Sequence, residues 1–242
     1  MIKACIFDLD GTLSDSLESM AYTANRALSE EGLKELPTAN FRYYAGNGAK
    51  ELVRGYLRDT ERLTEEAAKA QASKYGVTLN PDAAAHDPHN EASFDYYYDI
   101  YMREFAVYCT YKVKPYAGIP EVLRALKARG MKLAVCSNKP DHQAKDVIKD
   151  LFGEGLFDEV HGQRPGVPRK PSPAGPLQIA AAFSVQPSEC LYFGDTNTDM
   201  QTGKSAGMHT IGVLWGFRDR AELEANHADG IVEKPSDILN LL

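Results

Sequence analysis

The chain has few cysteines, no block of positive charge and no long apolar run, and each shortage removes a class of protein. Its four cysteines, Cys5, Cys109, Cys136 and Cys190, form no Cys-x-x-Cys pair. That argues against the disulfide framework of a small secreted domain and favours buried thiols in a reducing cytoplasm. A formal net charge of −7 without any Lys/Arg cluster argues against sequence-independent nucleic-acid binding, and an anionic ligand must then be met by local cations. No apolar stretch approaches the roughly 20 residues of a membrane helix. The opening Met1-Ile2-Lys3-Ala4-Cys5-Ile6-Phe7 is cut short by Asp8, so neither a membrane span nor a signal peptide is expected. Internal repeats and low-complexity tracts are lacking too. What is present, 43% hydrophobic and 25% charged residues over 242 positions, suits one packed core carrying a sizeable insertion.

Ile2 to Leu9 is a short apolar run ending in a turn, the pattern of a strand buried on both faces. From Leu17 the period changes: Leu17, Met20, Ala21, Ala24, Ala27 and Leu28 recur at helical spacing until Gly32. Helical signals continue to about residue 112, including Phe94, Tyr97, Tyr98, Tyr101, Phe105 and Tyr108, with a loop expected around 78–93 where Asn, Pro and His punctuate the chain. His86 and His89 are read as part of that surface loop, not as a metal site. After Lys114-Pro115 strands and helices alternate, with strands expected at 132–136, 159–161, 190–193, 210–214 and 230–232. Alternation of this kind specifies a parallel sheet. The fold class is therefore α/β, a parallel Rossmann-like core formed by 1–15 and 113–242, with a helical cap domain of 16–112 inserted into it.

In open parallel sheets ligands bind beyond the carboxyl ends of the strands, so the residues following each strand carry the chemistry. The first strand ends in Asp8-Leu9-Asp10-Gly11-Thr12, where extended backbone points Asp8 and Asp10 the same way. Taken alone this is an ordinary Asp-Gly turn. The next core strand ends in Ser137-Asn138, able to donate to an anion or to cap a helix. Lys170 stands between Arg169 and Pro171 in a stiff loop, and the strand 190–193 runs into Gly194-Asp195-Thr196-Asn197-Thr198-Asp199. A calcium loop starting at Asp195 would need Gly and Glu where Met200 and Ala206 stand, so that reading fails. A helix cap, with Asn197 satisfying the first N–H groups, is the alternative for this stretch. Several carboxylates at adjacent strand ends repel one another unless a cation sits among them, and oxygen donors without a neighbouring His/Cys set favour magnesium over zinc. Such a cation, a lysine and Ser/Asn donors suit phosphoryl transfer, where positioning and charge neutralisation carry most of the catalysis.

These four motifs, in this order, resemble those of the haloacid dehalogenase superfamily, specifically its phosphoglycolate phosphatase-like branch. The resemblance spans Asp8 to Asp199 and implies a magnesium-dependent phosphatase acting on a small phosphorylated metabolite, with 2-phosphoglycolate as the leading substrate. It implies Asp8 as nucleophile and metal ligand. Asp10 would be the acid/base, its carbonyl also on the metal, and Asp195 a further ligand with Asp199 behind it. Lys170, Ser137 and Asn138 would hold the phosphoryl group, with Gly11 and Thr12 also at the substrate. Gly46-Asn47-Gly48 resembles the cap loop that helps choose the substrate in this branch. Dehalogenases and phosphonatases lack the second Asp of the first motif, so Asp10 points to phosphate esters. A sugar phosphomutase, a pyrophosphatase and a non-catalytic binding module on the same scaffold remain as alternatives.

Overall fold

The computed structural model describes all 242 residues. It divides into two compact units, one of Met1–Ser16, Gly46–Gly48 and Val113–Leu242, the other of Leu17–Ala45 and Ala49–Lys112. No helix in either is long and apolar enough to cross a membrane.

The first unit is built on strands β1 (Ala4–Phe7), β4 (Lys132–Pro140), β5 (Glu159–Gln163), β6 (Cys190–Gly194), β7 (His209–Val213) and β8 (Gly230–Val232). They pair in the order β5-β4-β1-β6-β7-β8, parallel throughout. β1 sits between β4 and β6 with Phe7 level with both Val135 and Phe193, so β1 and β6 end almost together while β4 runs on beyond them. A strand enclosed by partners and by helices needs apolar side chains on both faces, and β1 supplies them. Cys5 and Phe7 join one core with Leu133, Val135, Leu191 and Phe193, under α6 (Ile119–Ala128) and α7 (Asp141–Phe152). Ala4 and Ile6 face the other way, with Ala134, Cys136, Cys190 and Tyr192 under α8 (Ala174–Ala182). The Phe7 and Phe193 rings stack at 4.7 Å and tie the two central strands together. The unit is completed by α9 (Asn197–Ser205) and α10 (Arg220–Ala225). All four cysteines are buried free thiols.

Two features differ from expectation. β4 continues past Cys136 to Pro140, because the backbone at Pro140 pairs with Gln163 across a register irregularity, leaving Ser137, Asn138 and Lys139 on extended chain. A short antiparallel ribbon of β2 (Ser14–Asp15) and β3 (Lys114–Pro115), with no apolar alternation to reveal it, joins the two places where the core chain is interrupted.

The second unit holds α1 (Leu17–Glu30), α2 (Phe41–Tyr44), α3 (Ala49–Asp59), α4 (Glu65–Tyr75) and α5 (Phe94–Tyr108), with short 3-10 turns at Ala83–Ala85 and Glu91–Ser93 in the expected loop. The aromatic stripe of α5 is packing: Tyr97, Tyr101 and Phe105 are buried, and Tyr101 stacks on Phe105. His86 lies flat on Tyr96 at 3.7 Å and belongs to no cluster of metal-ligating groups.

Candidate active site

Asp8 follows β1 directly and is held at the sheet by its own N–H, which donates to Phe193 O at 2.9 Å. The strand alternation that sends Ala4 and Ile6 to the α8 face sends Asp8 there too. Behind it the chain turns sharply, with Leu13 N and Ser14 N both donating to Leu9 O. Gly11 makes this possible. Its φ is +89°, and a Cβ there would stand 2.2 Å from Asp195 Oδ2, so no other residue fits.

One oxygen from each of Asp8, Asp195 and Asp199 can be chosen so that all lie within 4.8 Å of one another, and all three residues are buried. Lys170 lies among them, also buried, with Nζ 2.8 Å from Asp8 Oδ1 and 2.7 Å from Asp199 Oδ1. The ammonium meets Asp8 Oδ1 as an ion pair, and no other donor reaches that buried oxygen. Asp195 is better satisfied: Thr12 Oγ1 donates to Oδ1 at 3.0 Å and Phe217 N to Oδ2 at 2.8 Å. In Asp199 both oxygens are occupied, Oδ1 by Lys170 Nζ and Oδ2 by Thr196 N and Oγ1 at 3.1 and 2.7 Å. Asp199, held on one oxygen by Lys170 and on the other by two donors, is thus a fixed counter-charge for Lys170, whereas Asp195 carries a single donor on each oxygen and keeps a lone pair on each for a cation beside Asp8.

Burial, reinforced by the charge of Asp199, pushes the Asp8 carboxyl up to about 7 against the pull of Lys170. Burial and repulsion from Asp199 and Asp8 raise Asp195 as well, opposed by Phe217 N–H and the Thr12 hydroxyl. For Lys170, burial alone favours the neutral amine, but Asp199 and Asp8 outweigh it and hold the ammonium firmly protonated. Asp10 does not join this cluster. Its carboxylate pairs with Lys139, whose Nζ lies 3.0 Å from Oδ1 and 3.2 Å from Oδ2. With Asp10 and Lys139 neutralising each other, the ionised forms of Asp8, Asp195 and Asp199 against Lys170 would leave two negative charges, the amount one divalent cation neutralises. The donors are all oxygen, the buried Asp8 Oδ1 among them, so the residues present fit a hard divalent ion.

The remaining expected residues take varied positions. Ser137 Oγ accepts from Lys139 N at 3.2 Å. The Asn138 side chain is a brace: Oδ1 accepts from Lys170 N, and Nδ2 donates to Lys170 O and Gly46 O. Its amide therefore fixes the lysine-bearing loop, and no amide hydrogen is left to meet an anion. Thr12's hydroxyl is likewise committed to Asp195, and its carbonyl accepts from Trp215 Nε1. Gly46–Gly48, expected in the cap, groups with the sheet-bearing unit, Asn47 accepting from Thr198 Oγ1 and from Arg169 Nη1. The cap of α9 is Thr196 and not Asn197. Thr196 Oγ1 accepts from Asp199 N while Asp199 accepts from Thr196 N, a reciprocal box that also aims Asp199 at Lys170. Thr196→Ala is expected to cost about 1–2 kcal/mol, read as a lowered thermal midpoint that Thr196→Ser largely restores.

A parallel sheet interrupted by a helical insertion, with carboxylates beyond the ends of its central strands and a buried loop lysine between them, fits a protein built to handle phosphoryl groups. Comparison with known proteins places it more closely. The chain belongs to the haloacid dehalogenase-like hydrolase family, whose sequence pattern matches residues 5–213. It is 30% identical to the phosphoglycolate phosphatase of Aquifex aeolicus over 241 residues, all of this chain and 97% of that one. It is also 30% identical to that of Mannheimia succiniciproducens over 236 residues, 98% of this chain and 96% of the relative. The crystal structure of a candidate phosphoglycolate phosphatase from Lactobacillus delbrueckii subsp. bulgaricus superposes with a TM-score of 0.82 at 28% identity, covering 99% and 97% of the two chains. The protein is a phosphoric monoester hydrolase of the family's phosphoglycolate phosphatase-like branch.

Proposed function

We propose that the protein is a magnesium-dependent phosphatase that hydrolyses 2-phosphoglycolate through a phosphorylated Asp8. The observation that carries this reading is the buried Asp8 carboxylate at the end of the central strand, facing Lys170 at 2.8 Å and grouped with Asp195 and Asp199. Asp8 attacks phosphorus in line, and the ester P–O bond breaks as Asp10 delivers a proton to the leaving oxygen. Asp10 then takes a proton from water. That water attacks the phosphorus of the Asp8 phosphate, releasing inorganic phosphate and restoring the carboxylate. Lys170 neutralises the phosphoryl oxygens, its backbone fixed by Asn138, and the Ser137 hydroxyl donates to them. Magnesium bound by Asp8, Asp195 and the Asp10 carbonyl would supply the charge that these carboxylates lack. Substrate identity rests on the phosphoglycolate phosphatases from Aquifex aeolicus and Mannheimia succiniciproducens, aligned over nearly the whole chain.

The test is a phosphate-release panel over 2-phosphoglycolate, sugar phosphates, pyrophosphate and nucleotides, with magnesium and with chelator. Fastest release from 2-phosphoglycolate, abolished by chelation, is expected. Isomerisation of a sugar monophosphate in the presence of a bisphosphate, without net phosphate release, would instead make the protein a mutase.

Metal and pH are coupled. Because the folded Asp8 carboxyl titrates near 7 instead of its ordinary 3.8, the folded state holds that proton more tightly than the unfolded chain. Its contribution to stability is therefore full below pH 3.8 and is lost as pH rises through 7. Chelated protein should lose thermal stability between pH 5 and 8 relative to magnesium-loaded protein, so the gap between the two melting curves widens with pH. A gap that stays constant across this range would refute the coupling.

A further inference from the structure

The two displacements at Asp8 use one of the two buried ammoniums and leave the other idle. Lys139 is buried, its side chain only 2% exposed, and its backbone N–H is anchored on Ser137 Oγ. An ammonium held out of water needs a reason, since an uncharged residue would fill the space without the desolvation penalty. Its position supplies one. Lys170 is enclosed between Asp8 and Asp199, whereas Lys139 grips both oxygens of Asp10, whose side chain keeps 15% exposure. Lys139 thus borders the accessible end of the cluster, where a leaving group must enter.

The distances fix which leaving group would profit. An oxygen receiving a proton from Asp10 lies within a hydrogen bond of that carboxyl, and Lys139 Nζ is 3.0 Å from the same group. The ammonium is therefore within two hydrogen-bond lengths, roughly 6 Å, of the leaving oxygen. In a phosphorylated 2-hydroxy acid the carboxylate oxygens stand only about 3–4 Å from the ester oxygen, given bond lengths of about 1.5 Å. One such carboxylate reaches Lys139 while its ester oxygen meets Asp10.

We propose that Lys139 is the specificity-determining residue of this site, the receptor for a carboxylate one carbon from the scissile oxygen. This rests on the phosphatase reading above and deepens it. Asp10's carboxylate occupies Lys139 in the free enzyme; the substrate's carboxylate exchanges with it, and Asp10 is released toward the leaving oxygen. A phosphate ester without that carboxylate leaves the Lys139–Asp10 pair closed. The same chemistry discriminates against neutral alcohol phosphates, which this chain would otherwise accept through Lys170 alone.

The test uses magnesium-loaded protein and two ligands without a scissile P–O bond, 3-phosphonopropionate and propylphosphonate, titrated calorimetrically. Wild type is expected to bind the carboxylated ligand about 10- to 100-fold more tightly, as befits a charge-assisted hydrogen bond. Lys139→Met should bring the two affinities within about twofold, by loss of that bond. Lys139→Arg, which keeps the charge, should retain part of the preference and serves if the Met variant fails to fold. In turnover, the ratio of kcat/KM for 2-phosphoglycolate over ethyl phosphate should fall by a comparable factor in Lys139→Met. No preference in wild type, a preference that survives Lys139→Met, or an equal loss on both substrates would overturn the proposal. Lys139-dependent preference without turnover of 2-phosphoglycolate would instead reject that substrate and leave Lys139 as carboxylate receptor for another phosphorylated hydroxy acid.

Discussion

Asp8→Asn is expected to lower turnover on every phosphate ester by at least about 10⁴-fold, the scale on which loss of a nucleophile is felt. The amide keeps the shape of the carboxylate but cannot attack phosphorus, so the first displacement has no alternative route. Stability should move the other way. In the wild type, burial and Asp199 make the Asp8 charge expensive enough to push its carboxyl to about 7. The neutral amide removes that repulsion, so metal-free Asp8→Asn should melt no lower than wild type at pH 8. Rapid-quench detection of a base-labile phosphoryl adduct checks the intermediate directly: present in wild type, absent in the variant. Wild-type turnover by Asp8→Asn would end the nucleophile assignment.

Lys170→Met should be the most damaging change to the fold. Lys170 neutralises Asp8 and Asp199 at 2.8 and 2.7 Å, and nothing else basic stands between them in the interior. Removing one partner of a buried ion pair strands the other, at a typical cost of about 3–5 kcal/mol. For a chain of this size that is a fall in melting temperature on the order of 10 °C. The loss should be larger at pH 8 than at pH 5, where the stranded carboxylates take up protons. Turnover should fall at least about 10²–10³-fold, since a preorganised donor to the transferring phosphoryl group is gone. Adding Asp199→Asn should recover stability without recovering activity, which separates the two roles of the lysine.

The parallel core was legible because strands buried on both faces leave a distinctive mark, an apolar run cut off by Gly, Asp or Ser, as in Phe7-Asp8 and Phe193-Gly194-Asp195. Asp8 and Asp195 could be placed for the same reason, since each directly follows a strand, and Ser137 sits one residue past the apolar run of β4, although that strand continues through it to Pro140. The pairings among them could not be read. Asp10 finds Lys139 across 129 positions and Thr12 finds Asp195 across 183, through the register of β1 against β4 and β6 and not through spacing along the chain. The Asn138 amide, read as an anion donor, turns back onto the Lys170 backbone because β4 runs on past Cys136 and carries Asn138 beside that loop. The start of α9 is also marked in the sequence. Thr196-x-x-Asp199 has the spacing of a capping box, which favours Thr196 over Asn197 as the first residue outside the helix.

Because β1 is flanked on both sides by strands made much later, synthesis and assembly of this enzyme run in opposite orders. The segment bearing Asp8 leaves the ribosome first, yet its partners begin at Lys132 and Cys190. Until some two hundred residues have been made, Asp8 is an ordinary solvated carboxylate on an unpaired edge. The helices of the insertion, in Leu17–Ala45 and Ala49–Lys112, have all been made long before. A chain ending before Gly194 therefore lacks Asp195 and Asp199, the two carboxylates that stand beside Asp8 in the folded protein.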